Sequence, residues 1–257
     1  MIQIVLPSKK QIGPIRAVLF DKDGTLIDSH SYWGEIIVER AHEIISHYQL
    51  TADKHLGVCE SMGFCSKTLK LTEKGPVALE SRSVVVKYVV DHLQSIGVIS
   101  SEAQINQIFD KVSYEMNVKR LPRIQPISTA ISTMFDLLSL GVKLAIVTSD
   151  TESNALSFLR EIGLSERQIV VVGRDNYPHA KKTGLPAKYA ASKLDVDISQ
   201  CIVIGDAPMD CQMAANSGAL HLLVSTGQLS YETLEKSTPL VVNNLTEITF
   251  SPFANNV

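Results

Sequence analysis

Five short, nearly unbroken apolar runs recur along the chain, and each is followed by a stretch with helical periodicity. They are IRAVLFD (15–21), VKLAIVT (142–148), QIVVV (168–172), QCIVIGD (200–206) and ALHLLV (219–224). A strand that is apolar on both faces has to be covered on both faces, so the pattern predicts a parallel sheet between two layers of helices. The helices are legible too. After Pro126, residues Ile127, Ile131, Met134, Leu137 and Leu138 fall on one helical face, and Gly141 supplies a stop. Leu156, Leu159 and Ile162 make the next face, ended by Gly163, and Pro208 to Ser217 make another, ended by Gly218. The expected fold is a doubly wound α/β core.

One long interval breaks the alternation. Between Asp28 and about Arg123 no strong strand signal occurs, only helical spacing. Trp33, Ile36, Ile37, Ile44, Ile45 and Tyr48 make one apolar face; Val85, Tyr88, Val89 and Leu93 make a second; Ile105, Ile108, Phe109, Val112 and Met116 make a third. These positions are expected to form the interior of a separate helical domain, 29–123, inserted into a core made of 1–28 and 124–257. A length of 257 residues suits one domain carrying such an insertion. Between Leu56 and Lys74 polar residues accumulate together with Gly57, Gly63 and Gly75, which suggests a loop over or beside the site. IQIVL near the start reads as a short strand without an evident partner.

Charge and composition narrow the partners. Lys and Arg number 24 against 27 Asp and Glu, a formal net charge of −3 with no dense basic block, so a nucleic-acid clamp is not expected. No apolar run approaches the roughly 20 residues needed to cross a bilayer. The segment MIQIVLPSKKQIGPIR runs apolar first and basic second, the reverse of a secretory signal. Cys59, Cys65, Cys201 and Cys211 form no Cys-x-x-Cys pair and read as idle thiols of a reducing compartment. A cytoplasmic protein with neither a nucleic-acid nor a membrane partner is expected; its oligomeric state is not legible.

Chemistry concentrates where the apolar runs end. FDKDGTLIDS (20–29) sets Asp21 and Asp23 at the carboxyl end of the first run, where ligands bind in α/β sheets, with Gly24 and Thr25 turning the chain. Two acids so close repel as ions. Burying them calls for a cation, and hard oxygen donors favour Mg²⁺. A solvated turn closing a strand would use the same residue types. IVIGDAPMD (202–210) repeats the arrangement, breaking at Gly205 into Asp206, with Asp210 in the first turn of the next helix, where it also suits the helix dipole. The second run ends in Thr148 and Ser149 before a helix starting near Thr151. A hydroxyl beside free helix amides can cradle an anion or simply cap the helix. After the third run, GRDNYPHAKKTGLP offers Lys181 and Lys182, either of which could neutralise a phosphoryl group.

Taken in order, Asp-x-Asp-Gly-Thr at 21–25, a hydroxyl at 148, a lysine at 181 and Gly-Asp-x-x-x-Asp at 205–210 resemble the haloacid dehalogenase-like hydrolase superfamily. The helical insert after the first motif resembles its phosphoglycolate phosphatase-like branch, and the resemblance spans essentially the whole chain. It implies a Rossmann-like core, a helical cap, a Mg²⁺ cofactor and an aspartyl-phosphate intermediate. Asp21 would be the nucleophile, and Asp23 would protonate the leaving group and then activate water. Mg²⁺ would be held by the Asp21 carboxylate, the Asp23 main-chain carbonyl and the Asp206 carboxylate, with Asp210 tuning that shell. Thr148 and Lys181 would hold the phosphoryl oxygens, with Ser149 and Gly24 beside the substrate. The spacing of Asp175, Pro178 and Lys181 fits the branch and selects Lys181 over Lys182, and Pro186 fits a later position.

Three departures from the resembling pattern stand out. Lys182 replaces the proline that usually follows the lysine. Lys22 occupies a position that is commonly hydrophobic, and its side chain is expected to point away from the nucleophile. Asp150 stands where a basic or neutral residue is common; its charge could weaken binding of an anionic substrate or only cap the helix, and the cap is the expectation. The resemblance implies a phosphatase for a small phosphorylated metabolite, phosphoglycolate-like or a sugar phosphate. A phosphosugar mutase of the same fold is the nearest alternative, since the cap decides whether water is excluded; a non-catalytic regulatory binding protein is another. Asp23 and Asp206 speak against a dehalogenase, Asp23 against phosphonate hydrolysis, and the insert against a signalling receiver. Arg82, Lys67, Lys70 and the Gly75-Pro76 turn are candidate cap contacts to the substrate.

Overall fold

All five apolar runs are strands in a computed structural model that describes residues 1–119 and 124–253. In chain order the elements begin with β1 (Ile2–Val5), β2 (Gln11–Ile15), β3 (Ala17–Phe20), α1 (Ser29–His47), α2 (His55–Ser61), β4 (Phe64–Cys65), β5 (Lys70–Leu71), α3 (Arg82–Ser95) and α4 (Glu102–Lys119). They continue with α5 (Ser128–Ser139), β6 (Lys143–Val147), α6 (Glu152–Glu161), β7 (Ile169–Val172), α7 (Leu185–Leu194), β8 (Cys201–Gly205) and α8 (Pro208–Ser217). The chain closes with β9 (Leu220–Val224), α9 (Tyr231–Glu235), β10 (Val241–Val242) and β11 (Thr249–Pro252). The backbone groups into two compact units, Met1–Asp28 with Pro126–Val257, and Ser29–Gln125. The expected end of the insert, at 123, lies outside the described residues.

The first unit is built on a six-stranded sheet of order β10-β9-β8-β3-β6-β7, with every neighbouring pair parallel. From β3 the chain runs outward through β6 and β7, then crosses back to β8 on the other side of β3. The crevice at such a reversal is where ligands bind in doubly wound sheets. Register decides what meets there. Phe20 pairs with Ile204 on one side and Ile146 on the other, so the residues just beyond β3, β8 and β6 reach one edge together. On one face of the sheet Leu19, Ala145 and Val203 pack with Ala187 and Ala190 of α7 and Met213 and Ala214 of α8. Their alternates Val18, Phe20, Ile146, Ile202 and Ile204 are equally buried, as strands covered on both faces require.

The structure revises several local readings. IQIVL finds its partners in a separate antiparallel sheet, β11-β1-β2. Gly13 and Pro14 in β2 and Pro252 in β11 had hidden those partners, because both residue types weaken a strand signal. The buried face of α5 is Ala130, Thr133, Met134 and Leu137, with Ile131 and Leu138 only half-buried. In α6 the face turns from Leu156 and Ile162 toward Ala155, Phe158 and Leu159. Phe158 carries the most apolar area of that helix, so its burial sets the rotation.

The second unit is helical, with α1, α2, α3 and α4 around an interior that includes Ile37, Ile44, Met62, Val89, Phe109 and Met116. Truncating a fully buried side chain such as Phe109 to alanine costs about 3–5 kcal/mol. Tyr88, read as interior from its spacing, is 51% exposed. The stretch expected as a loop from 56 to 74 instead holds most of α2 and a two-residue hairpin, β4 with β5, closed where the backbones of Gly63 and Gly75 touch. Arg40 is buried, with its guanidinium 4.0 Å from the centre of the Phe109 ring and its Nε unpartnered among the described residues. Burial first, then the charge of Arg82, pulls its pKa down to about 10. No described helix is long and apolar enough to cross a membrane. All four cysteines are free, and burial pushes the Cys59, Cys201 and Cys211 thiols up to about 11.

Candidate active site

Asp21 is the first residue beyond β3, and its N–H donates to the Ile204 carbonyl at 2.8 Å, carrying the ladder with β8 one residue further. Asp206 is the first residue beyond β8. Asp210 stands in the first turn of α8, where its Oδ2 accepts the Ala207 N–H at 3.2 Å. A side chain at 205 would collide with the Asp210 carboxylate, which is why the strand breaks at a glycine. From the far side of β3, a tight helical turn (Lys181–Thr183) after β7 brings in Lys181. Its Nζ lies 2.7 Å from Asp21 Oδ1 and 2.7 Å from Asp210 Oδ1, and the residue is buried. Lys182 is exposed. Of the two candidate lysines, Lys181 is the one that reaches the acids.

Carboxylate oxygens of Asp21, Asp206 and Asp210 lie within 4.8 Å of one another. Three acids against one ammonium leave two negative charges unbalanced. Burial, then the charges of Asp21 and Asp210, push the Asp206 carboxyl well above the usual carboxylate range, and Lys181 offsets this only in part. Burial also raises Asp210, against the pull of Lys181. For Lys181 burial alone would favour the neutral amine, but Asp21 and Asp210 together raise its pKa and keep it an ammonium. A hard divalent cation would relieve the excess charge, and an all-oxygen donor set suits one. Space is kept beside Asp206 by two glycines. Any side chain at Gly24, which turns the chain at φ +86°, or at Gly227 would run into that carboxylate. The Asp23 side chain is outside this group.

The segment that contains all of these acids and Lys181, residues 15–218, matches the haloacid dehalogenase-like hydrolase family. The chain belongs to the haloacid dehalogenase-like hydrolases. A phosphoglycolate phosphatase of Neisseria meningitidis is 33% identical over 91 residues, 35% of this chain and 39% of that protein. The chain thus spans about two fifths of the length of the Neisseria relatives it matches. A phosphoglycolate phosphatase of Vibrio vulnificus is 23% identical over 237 residues, covering 91% of this chain and 94% of the relative. Two solved structures share the fold. A HAD hydrolase of family IA from Entamoeba histolytica superposes with a TM-score of 0.62 at 21% identity, covering 91% of this chain and 96% of that one. A β-phosphoglucomutase from Clostridium difficile superposes with a TM-score of 0.55 at 18% identity, covering 91% and 93%.

Against the haloacid dehalogenase-like pattern, this chain carries a second buried lysine at the site. Lys22, 2% exposed, places Nζ 2.7 Å from Asp23 Oδ1 and 3.1 Å from Asp150 Oδ2. Its side chain is therefore no bystander. Nor is Asp150 only a helix cap: Oδ1 accepts the Thr151 N–H at 2.7 Å and Asn154 Nδ2 at 2.9 Å, while Oδ2 faces Lys22. The capping residue proper is Thr151, whose hydroxyl accepts the Asn154 N–H at 3.3 Å. Burial, outweighing the pull of Lys22, raises the Asp23 carboxyl.

Thr148 is buried, and its Oγ1 accepts the Asp150 N–H at 3.0 Å; Ser149 is exposed. A cavity of about 300 Å³ opens beside Thr148, Ser149 and Lys181, with Arg174, Tyr177 and His179 around it. Asp175 accepts the Glu152 N–H at 2.7 Å and so fixes the start of α6. The sequence reading passed over Gly227 and Thr226, whose Oγ1 donates to the Gly24 carbonyl at 2.6 Å. Their signal was the run of small residues just past the fifth apolar strand, at the same sheet edge. In the helical unit the Arg82 guanidinium is engaged by Asp110 at 2.7 Å and by Asn106, while Lys67 and Lys70 are exposed.

Proposed function

We propose that this protein is a Mg²⁺-dependent phosphatase that hydrolyses a small phosphomonoester, phosphoglycolate-like or a sugar phosphate, through an aspartyl-phosphate intermediate. The convergence of Asp21, Asp206, Asp210 and Lys181 at the reversal of the sheet carries this reading. Similarity to phosphoglycolate phosphatases supports the substrate class.

In the first step an Asp21 oxygen forms a bond to phosphorus as the bond to the ester oxygen breaks, and Asp23 gives the departing oxygen its proton. Water then attacks the phosphorus of aspartyl phosphate and passes a proton to Asp23, so that phosphate leaves and Asp21 is restored. The Asp21 and Asp206 carboxylates and the Asp23 main-chain carbonyl are the groups that would hold Mg²⁺, which supplies charge neutralisation to the phosphoryl oxygens. Asp210 grips Lys181 and the Ala207 N–H at once, keeping the ammonium aimed at the reacting group. Thr148 already accepts a hydrogen bond from the Asp150 N–H, so its own proton is available to a phosphoryl oxygen. With a loose transition state, such positioning and neutralisation do most of the work. The inserted helical unit would serve as the cap that excludes bulk water and restricts substrates to small molecules.

Phosphate release from a panel of small phosphomonoesters, with Mg²⁺ and with a chelator, tests the reading. Metal-dependent release that favours one compound is expected. Absence of release from every compound, with the fold intact and Mg²⁺ bound, overturns it, and movement of phosphate between positions of a sugar without release would favour a mutase.

A further inference from the structure

The two lysines around Asp-x-Asp divide the acids between them. Lys181 takes Asp21 and Asp210, whereas Lys22 takes Asp23 and Asp150. Of this second set only Asp23 has a role in the chemistry described so far; Lys22 and Asp150 have none. A cation has appeared at a position that is commonly apolar, and an anion at one that is commonly basic or neutral, and the two meet at 3.1 Å. An ammonium at 2% exposure is costly without anionic partners, so the two departures support one another. Asp150 is itself held still. Its Oδ1 is fixed by the Thr151 N–H and the Asn154 side chain at the start of α6, and its main-chain carbonyl accepts the Arg174 N–H at 2.9 Å. A rigid line runs from the start of α6 through Asp150 and Lys22 to Asp23.

Taking Asp23 as the proton-transfer group of the proposed function, we propose that Lys22 is the positioning residue that sets its carboxylate, with Asp150 as the anchor of Lys22. Lys22 occupies Asp23 Oδ1 at 2.7 Å and so fixes the rotamer, leaving Oδ2 to meet the ester oxygen. A group that must deliver and recover a proton in one cycle gains from being held, since about 1 Å of misplacement can cost on the order of 100-fold in rate.

Kinetics and melting temperatures of Lys22→Met, Lys22→Arg, Asp150→Asn and the Lys22→Met/Asp150→Asn double variant test the assignment. Lys22→Met should lower kcat by roughly 10- to 100-fold with KM changed by no more than about twofold. Lys22→Arg should keep most of kcat, and Asp150→Asn should lose less than Lys22→Met. The double variant should melt above Lys22→Met, because one unbalanced carboxylate is gone, yet keep the low kcat. A merely structural pair gives a different result: kcat follows the melting temperature and recovers in the double variant, which overturns the proposal. Should Lys22→Met fail to fold, Asp150→Asn decides, and an unchanged kcat in it is equally fatal. If the wild type hydrolyses no phosphomonoester, the proposed function fails separately. Crystal structures of the wild type and the double variant then judge Lys22 alone: Asp23 in its wild-type rotamer without Lys22 overturns the assignment, and a turned carboxylate upholds it.

Discussion

Both units of the molecule bury cations, and they balance them in opposite ways. In the α/β unit Lys181 and Lys22 each sit between two aspartates, with nitrogen–oxygen distances from 2.7 to 3.1 Å. In the helical unit Arg40 is 8% exposed but rests on the face of Phe109, with no ion pair among the described residues; burial and then the charge of Arg82 lower its pKa, and Tyr32 and Asp110 oppose that more weakly. The difference separates charge that is used from charge that is only accommodated. The two lysines hold carboxylates at the sheet edge where chemistry is proposed, and Lys181 owes its charged state to those partners. Arg40 contributes a long stem and a planar head to helix packing, which a ring can support without an acid in contact. Removing a partner from a buried pair leaves an uncompensated charge, whereas replacing a lone buried cation by an apolar chain of similar size can stabilise a fold.

That contrast can be broken by substitution. The largest effect is expected from Asp21→Asn, which keeps size and removes charge: turnover should fall by at least about 1,000-fold with circular dichroism unchanged. Near-normal turnover would remove Asp21 from the mechanism. Asp206→Asn should move activity and stability in opposite directions. With one of three crowded acids neutralised, the metal-free protein should melt a few degrees higher, while the rise in melting temperature caused by Mg²⁺ disappears. An unchanged response to Mg²⁺ in thermal melts would take Asp206 out of the metal site. In the helical unit Arg40→Met should leave urea stability equal to or above that of the wild type; a loss of more than about 2 kcal/mol would mean that Arg40 is balanced after all.

The smallest effect concerns protons. Each unit holds a histidine whose imidazole pKa is lowered, by burial first, then by His42 for His55 and by Lys10 for His221. Such a group resists protonation in the folded state. Its contribution is present above the unfolded value of about 6.5 and is lost as pH falls through and below it. Replacing either histidine by asparagine should flatten the acid limb of stability against pH, measured by urea unfolding from about pH 5 to 8. Identical acid limbs in wild type and both variants would show that neither imidazole resists protonation.

Much of this architecture was legible because it is periodic or local. The five apolar runs mark five strands of the parallel sheet, and the acids at their ends mark the edge where Asp21, Asp206 and Asp210 meet. What escaped depends on contacts between distant residues or on elements too short to leave a pattern. Val241–Val242 and the β4–β5 hairpin contribute only two residues per strand. Tyr88 has interior spacing and an exposed ring, since spacing gives a side of the helix but not how far its neighbours reach. Lys22 and Asp150 each had a sufficient local explanation, as a side chain pointing away from the nucleophile and a helix cap. Only the parallel pairing of β3 with β6 brings those two positions together.

The route by which the helical unit enters the sheet has a further consequence. Ile27 forms a bridge with Pro126, and the Ile127 N–H donates to the Leu26 carbonyl at 2.9 Å, so the chain departs and returns at adjacent points. The clasp closes the intervening segment at one point, and the entropy of such a closure grows only slowly with the segment's length. Residues 29–125 can be regarded as a cassette: lengthening, trimming or exchanging it leaves the strand order and the acids beyond β3 and β8 as they are. Variation in the cassette and variation in the sheet edge are thereby separable, since the chain joins the two at this clasp of neighbouring backbone.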